Sequence, residues 1–257
     1  IYISKFIEQE NKIKSDIIEV HNRPAYIDQI KKKTSSKLIL YFHNDPLTMS
    51  GSKTIKDRKK LLSKVDHFIF NSKWSLERFK VGLNDFSYYK NNFSVVYQSV
   101  NKPKINFNKK QNIISFIGKL NRAKGYDIFG NAITKILNKY PDWKALVIGD
   151  EPREKLIFEH KRLTNYGYKE HKFILKKLEL TSISIICSRW NEPLGRASLE
   201  ACSRGSVPII TNRGGLPETS KAAVIIKDLT VKNLFKSIEK LIINKTLLQK
   251  LQIQNYN

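Results

Sequence analysis

Two hydrophobic rhythms alternate along the chain. Short runs rich in Ile, Val, Leu and Phe occupy residues 17–20, 38–42, 68–71, 93–97, 113–117, 145–148, 183–187, 207–211 and 224–226, most of them bounded by Gly, Pro, Asn or Ser. Runs of this length without polar alternation suit strands buried on both faces of a parallel sheet. Between them lie stretches with a helical period. Over residues 126–139, Ile128, Phe129, Ala132, Ile133, Ile136 and Leu137 fall on one stripe, and residues 194–203 and 231–243 have similar character. Strands alternating with helices predict an α/β architecture with parallel sheets. The segment 101–112 is polar and basic and contains a proline, so it is the expected domain boundary, dividing the chain into 1–105 and 106–257.

Composition narrows the class. At 257 residues and 40% hydrophobic, the chain can bury a sizeable core. No apolar run approaches the ~18–20 residues of a membrane-spanning helix. The opening residues lack the basic-then-apolar order of a signal peptide. The chain starts at Ile1 and not at Met, which suggests a fragment whose natural start lies upstream. Cys187 and Cys202, the two cysteines, make neither a disulfide framework nor a zinc site, and the expectation is a soluble cytoplasmic protein. The net charge of +24 attracts polyanions: nucleic acid, anionic lipid or phosphorylated substrates. The surplus is mostly lysine spread over the whole chain, so a compositional bias of the source genome competes with a selected basic face. A nucleic-acid-binding protein is disfavoured, because no recognition module and no basic stripe with interleaved aromatics is present.

Candidate chemistry follows three of the strand runs. After 183–187 comes a loop with Trp190, Asn191 and Glu192. Pro193 then stands where a first-turn proline belongs, and a helix is expected through Glu200 to a cap near Gly205. The amides of Leu194, Gly195 and Arg196 at that helix start favour a phosphate. Glu192 and Glu200 admit three readings: a hydrolytic acid/base pair, two anchors for one extended ligand, or two solvated helix glutamates. On one helix their backbones would stand ~12 Å apart, long for paired hydrolytic carboxylates at ~5–9.5 Å, which favours the two anchors. After 113–117 comes Gly118-Lys119-Leu120-Asn121-Arg122-Ala123-Lys124-Gly125, whose terminal glycines suit close backbone approach and whose Lys119 and Lys124 are spaced to reach one diphosphate. A chance basic loop is the alternative in so lysine-rich a chain. After 207–211, Gly214-Gly215 suggests close approach to a ligand or to a neighbouring segment, or an ordinary tight loop.

Taken in order, Gly118-Lys119-Leu120 with Lys124-Gly125, Glu192-Pro193-Leu194-Gly195 with Glu200-Ala201, and Gly214-Gly215-Leu216-Pro217-Glu218 resemble the retaining glycosyltransferases of the GT-B fold, family 4, also called glycosyl transferases group 1. The likeness covers residues 105–245 well and the earlier part more loosely. It implies two Rossmann-like domains whose parallel sheets face across a cleft, the N-terminal one incomplete. It implies a nucleotide-diphosphate sugar as donor, no cofactor and no metal. Lys119, where arginine is usual, and Lys124 would hold the donor diphosphate and stabilise it as it leaves. Glu192 would contact the sugar and Glu200 the ribose, with Gly118, Leu194, Gly195 and Arg196 lining the donor site. His43, in Tyr41-Phe42-His43-Asn44-Asp45, matches a histidine placed near the donor sugar; His21, Arg23 and Asn71-Ser72 are weaker echoes. The acceptor would be a glycan or lipid-linked hydroxyl in cell-surface glycan or lipopolysaccharide synthesis, and the basic segment 53–64 would meet an anionic membrane surface on its inner face.

The chain departs from that family in lacking strands and a Gly-rich loop before Ile17, and in C-terminal helices that end near Asn257. Donor binding without turnover is therefore one expectation. An epimerase or phosphorylase on the same scaffold, and a non-catalytic basic nucleic-acid-binding protein, are the rivals.

Overall fold

The structure, a computed structural model, describes residues 2–83 and 92–257. The chain divides into two compact units, Ile1–Gln98 and Ser99–Asn257. The division falls before residue 105, because residues 101–103 are tied to the second unit. The Arg204 guanidinium donates to the Asn101 carbonyl, the Tyr256 hydroxyl donates to the Pro103 carbonyl at 2.9 Å, and the Lys102 ammonium sits over the Tyr256 ring.

In the first unit, four parallel strands lie in sequential order: β1 Ile17–His21, β2 Lys37–Phe42, β3 His67–Phe70 and β4 Phe93–Val95. Helices α1 Tyr2–Ile13, α2 Ile27–Lys33, α3 Ile55–Leu62 and α4 Lys73–Lys80 accompany them. The core holds Ile18, Val20, Leu38, Leu40, Phe42, Phe68 and Phe70 from one face of the sheet, with Ile27 and Ile30 from α2, Leu61 and Leu62 from α3, and Phe79 from α4. Phe79 packs among the Phe42, Phe68 and Phe70 rings at centroid distances of 5.2–5.6 Å, within the range for favourable aromatic pairs. The strands were expected to be buried on both faces; in β1 the burial instead alternates, with Ile17, Glu19 and His21 exposed.

Helix α3 carries most of the basic segment 53–64. Its start is a capping box: Asp57 N–H donates to Thr54 Oγ1 and Thr54 N–H to Asp57 Oδ2, both at 3.1 Å. The segment is not a uniform cationic face. Arg58 is 2% exposed and donates to the carbonyls of Ser52, Lys53 and Val81, stitching the helix to the loops beside it. Lys60 and Lys64 pair with Asp28, whose carboxyl they hold below its ordinary range. Lys53, Lys56 and Lys59 remain exposed, beside a half-exposed Ile55.

The second unit is a six-stranded, wholly parallel sheet: β5 Gln111–Ile117, β6 Lys144–Ile148, β7 Leu163–Asn165, β8 Thr181–Ile186, β9 Val207–Thr211 and β10 Val224–Ile226. Their order is β10-β9-β8-β5-β6-β7. The chain runs outward from β5 to β7, returns to β8 on the other side of β5, and runs outward again to β10. The β5/β8 boundary is thus a topological switch point, where loops leave in opposite directions and open a crevice at the carboxyl ends of the strands.

Helices α5 Tyr126–Lys139 and α8 Val231–Ile243 cover one face, closing a core of Ile114, Phe116, Val147, Ile183, Ile185 and Ile209. The other face meets α6 His171–Leu180, α7 Arg196–Ser203 and α9 Lys245–Tyr256. That face carries a buried row of hydroxyls: Ser115 Oγ to Ser184 Oγ at 2.9 Å, and Ser184 Oγ to Ser206 Oγ at 2.8 Å. Lys110 lies beneath the ends of α6 and α7. Its ammonium donates to the Leu178, Thr181 and Arg204 carbonyls, satisfying groups that helix ends leave unpaired. Among the described residues, no helix is long and apolar enough to cross a membrane.

Candidate functional site

The crevice at the switch point is built by three loops that grip one another through the backbone. The first follows β5. The Asn121 side chain caps a single 3-10 turn at Arg122–Lys124 by accepting from Lys124 N–H at 3.0 Å, and Gly125 then turns into α5 with φ +76°. A Cβ on Gly125 would stand 2.1 Å from the Cys187 carbonyl oxygen, so this glycine is required by the neighbouring loop. The second loop follows β8. Its Arg189 and Trp190 amides and the Ser188 hydroxyl all donate to the Ala123 carbonyl, at 2.8, 3.1 and 3.2 Å. The Arg189 guanidinium clasps the Asp127 carboxylate at 2.7 and 2.9 Å. Burial pushes the Asp127 carboxyl up, but these bonds outweigh it and leave it below its ordinary range.

The third loop follows β9. Gly214 pairs with Glu192 as a lone parallel bridge, and Gly215 N–H donates to the Glu192 carbonyl at 2.7 Å. A Cβ on Gly214 would stand 2.1 Å from that carbonyl oxygen. Of the alternatives open for Gly214-Gly215, the geometry shows close approach to a neighbouring segment. Glu192 is therefore held by backbone pairing, in extended chain. Pro193 is not in the first turn of a helix: α7 starts at Arg196, after Gly195 at φ +102°. The bridge at Glu192 and the left-handed turn at Gly195 delay the helix past the proline.

The first two loops and the start of α7 line a cavity of about 220 Å³. Gly118 and Lys124 line it from the first loop, Ser188 and Glu192 from the second, and Gly195, Arg196 and Ala197 from the start of α7. The Lys124 ammonium is paired with Glu192 Oε1 across the cavity, and the Glu192 side chain is 13% exposed. Arg196 and Ala197 are the first two residues of α7, so their N–H groups lie ahead of its hydrogen-bonded turns and have no acceptor within the described residues. One cation, one carboxylate and two free amides on a helix axis thus converge on a small enclosed volume. The arrangement can receive an anionic group at the amides and lysine, and a hydroxyl at the carboxylate.

Other sequence candidates lie elsewhere. Lys119 is exposed, off the cavity wall, with no ion pair or side-chain hydrogen bond among the described residues. Leu194 points into the core at 2% exposure. Glu200 is off the cavity wall as well, with Oε1 meeting His171 Nε2 at 3.0 Å and Arg196 Nη2 at 3.3 Å. The Arg196 side chain is thereby turned toward Glu200. His171 had no signal in the sequence, since nothing in the spacing links it to a residue 29 positions away. Asn121 had one: a capping side chain just before a short basic turn.

His43 belongs to the first unit. Its backbone N–H donates to Asn22 Oδ1 at 2.8 Å, and its ring stacks on Tyr41 at 4.1 Å between centroids. Gln98 Nε2 donates to His43 Nδ1 at 3.1 Å, which leaves the proton on His43 Nε2, 2.8 Å from His21 Nδ1. His21 Nε2 in turn faces Glu19 at 3.3 Å. Burial first, and His21 second, push the His43 pKa down, so the ring is neutral at pH 7. Both of its nitrogens are engaged within the unit. The two thiols are inert by burial, with Cys187 pushed up to about 12 and Cys202 to about 11. Among the described residues, no group of three or more His, Cys, Asp or Glu is placed to hold a metal ion.

Comparison with known proteins places this geometry in context. The sequence pattern of the family described as Glycosyl transferases group 1 matches residues 98–257. The chain is 28% identical over 240 residues to the putative glycosyltransferase YtcC of Bacillus subtilis, covering 81% of this chain and 58% of that protein. It is 26% identical to spore coat protein SA of the same organism, covering 84% of this chain and 66% of that one. The chain thus spans less than two thirds of the length of these relatives. Among solved structures, Anabaena Alr3699/HepE in complex with UDP-glucose is similar with a TM-score of 0.80 at 14% identity, covering 99% of this chain and 76% of that one. At that identity the likeness is one of fold.

Proposed function

The chain belongs to the glycosyl transferases group 1 family, and from that premise we propose that it moves a hexose-like sugar from a nucleoside diphosphate sugar to an acceptor hydroxyl, with retention of anomeric configuration. The observation that carries this reading is the cavity at the β5/β8 switch point, where Lys124, Glu192 and the Arg196 and Ala197 amides converge. In the transfer, the bond between the anomeric carbon and the diphosphate oxygen breaks, the acceptor oxygen bonds to that carbon, and the acceptor's hydroxyl proton passes to the departing phosphate. Negative charge accumulates on the departing phosphate, and Lys124 and the α7 amides are placed to stabilise it. Glu192 accepts from sugar hydroxyls, and Glu200 from the ribose diol. Lys119, without a side-chain partner among the described residues, swings onto the diphosphate from the rim. No metal is assigned a role. A glycan or lipid-linked acceptor, as in cell-surface glycan synthesis, completes the reaction.

The test is a calorimetric and thermal-melting panel of UDP, GDP, ADP and TDP, each with and without a sugar. The similar solved structure holds UDP-glucose, which makes uridine the first base to try. One diphosphate is expected to bind at a 1:1 ratio, adding about 2.7 kcal/mol of stability at a hundred times its Kd. No binding by any of the four removes the proposal.

The exposed Lys53, Lys56 and Lys59 beside Ile55 support contact of the first unit with an anionic membrane. At roughly 1 kcal/mol per lysine near the surface, the three together favour anionic over neutral vesicles by roughly two orders of magnitude. Co-sedimentation with phosphatidylglycerol vesicles is expected to be strong and salt-sensitive. Equal sedimentation with phosphatidylcholine vesicles would show that charge is not the cause.

A further inference from the structure

We propose that His171 is a positioning residue for the donor's ribose, holding one oxygen of the Glu200 carboxylate so that the other is presented to the 2′- and 3′-hydroxyls of a bound nucleoside diphosphate. The inference rests on Glu200 being the ribose anchor, and goes beyond it by assigning what sets the direction of that carboxylate.

Glu200 is 8% exposed, on the second turn of α7. Its Oε1 takes both neighbouring donors, His171 Nε2 at 3.0 Å and Arg196 Nη2 at 3.3 Å. Its Oε2 makes no hydrogen bond among the described residues and is not among the buried unpartnered atoms, so it is open to solvent there. A carboxylate with one oxygen doubly occupied and the other open is poised to accept from outside. A vicinal diol, with two adjacent O–H donors, is the chemical partner that fits one acceptor oxygen in this position.

The two donors are not equivalent. The two side chains are equally exposed, Arg196 at 58% and His171 at 57%, but Arg196 lies one turn earlier on the same helix and reaches Glu200 on a long, flexible side chain. His171 comes from a different element and has a short, rigid ring. It is the first residue of α6, whose start is fixed by the Tyr166 and Phe173 rings meeting edge to face at 5.3 Å and by Lys177 donating to the Tyr166 hydroxyl at 3.1 Å. Facing a carboxylate, Nε2 is the donor of this hydrogen bond. His171 therefore ties the rotation of the Glu200 carboxylate to the β7–α6 segment, an element that the cavity does not otherwise use.

The test compares the nucleoside diphosphate that binds with its 2′,3′-dideoxy analogue, by calorimetry on the full 257-residue chain. In the unaltered protein the dideoxy analogue is expected to bind about tenfold more weakly, as loss of hydrogen bonds to a charged acceptor implies. His171→Ala is expected to weaken the ribonucleotide about fivefold and leave the dideoxy analogue within twofold, so that discrimination collapses. His171→Gln, which can donate from the same direction, is expected to restore most of it. Full discrimination in His171→Ala overturns the proposal, as does equal weakening of both ligands, which marks a merely structural role. If the unaltered protein does not discriminate, the assignment of Glu200 itself fails and takes the proposal with it.

Discussion

Lys124→Ala is expected to lower sugar transfer by roughly two to three orders of magnitude, the range for removing one preorganised stabiliser of developing charge. It should also weaken the bare nucleoside diphosphate, since Lys124 is the only cation on the cavity wall among the described residues whose side chain is not turned elsewhere. Glu192→Gln separates the two effects. Glu192 pairs with Lys124 and presents a negative charge to an anionic ligand. The amide keeps the shape, releases the lysine and removes the repulsion. Diphosphate affinity is therefore expected to hold or rise, while transfer falls about a hundredfold because the sugar loses its charged acceptor. Calorimetry with the diphosphate and steady-state transfer assays on the whole enzyme read the two quantities independently. Near-normal transfer in both variants, or a parallel loss of diphosphate affinity in both, would remove Lys124 and Glu192 from the proposed roles.

Gly125→Ala is expected to destabilise the second unit by about 2–4 kcal/mol, adding the left-handed backbone penalty to that of overpacking. The new Cβ would sit 2.1 Å from the Cys187 carbonyl oxygen and 2.9 Å from its sulfur, at φ +76°. The sulfur can be removed but the carbonyl cannot, so Cys187→Ala should not rescue the variant. Gly118→Ala is the matched control: its φ is +147°, but no atom lies within 4 Å of its Cβ, so only backbone strain is added. Against the ~5–15 kcal/mol of a typical domain, the predicted difference is readily resolved by urea denaturation. Equal losses in the two variants would show that loop contact is not what the Gly125 position protects. Because Lys124 precedes this glycine, the Gly125→Ala variant should also lose donor affinity at temperatures where it remains folded.

The α/β parallel architecture was legible because parallel strands advertise themselves as unbroken aliphatic runs. Each predicted run overlaps an observed strand, and the helices at Tyr126–Lys139 and Val231–Ile243 have the expected limits. The strand β7 was not legible: it has three residues, Leu-Thr-Asn, two of them polar, and among the described strands it pairs only with β6. Helix α3 was hidden under its own lysines and read as a charge run, with nothing to reveal that Arg58 faces inward. At the cavity, Gly118, Lys124, Glu192, Gly195 and Arg196 share a wall while Lys119, Leu194 and Glu200 do not. Spacing along the chain cannot make that division, because it depends on which loops touch. The Pro193 helix start was misplaced for the same reason: the bridge from Glu192 to Gly214, which keeps the proline in extended chain, joins residues 22 positions apart and leaves no mark in the local pattern.

The hydroxyl row across β5 and β8 acts against misfolding as much as for stability. The pairing of these two strands is irregular between Gln111 and Ile114, and immediately beyond that point Ser115 meets Ser184. A slip by one residue would set Ile114 or Phe116 opposite Ser184, which keeps Ser206, and strand the Ser115 hydroxyl away from its partner, whereas a slip in an all-valine sheet would cost far less. The serines thus behave as a key cut into an otherwise uniform surface: they decide which of several near-equivalent alignments the strands accept, and with it how far apart the two loops above them emerge.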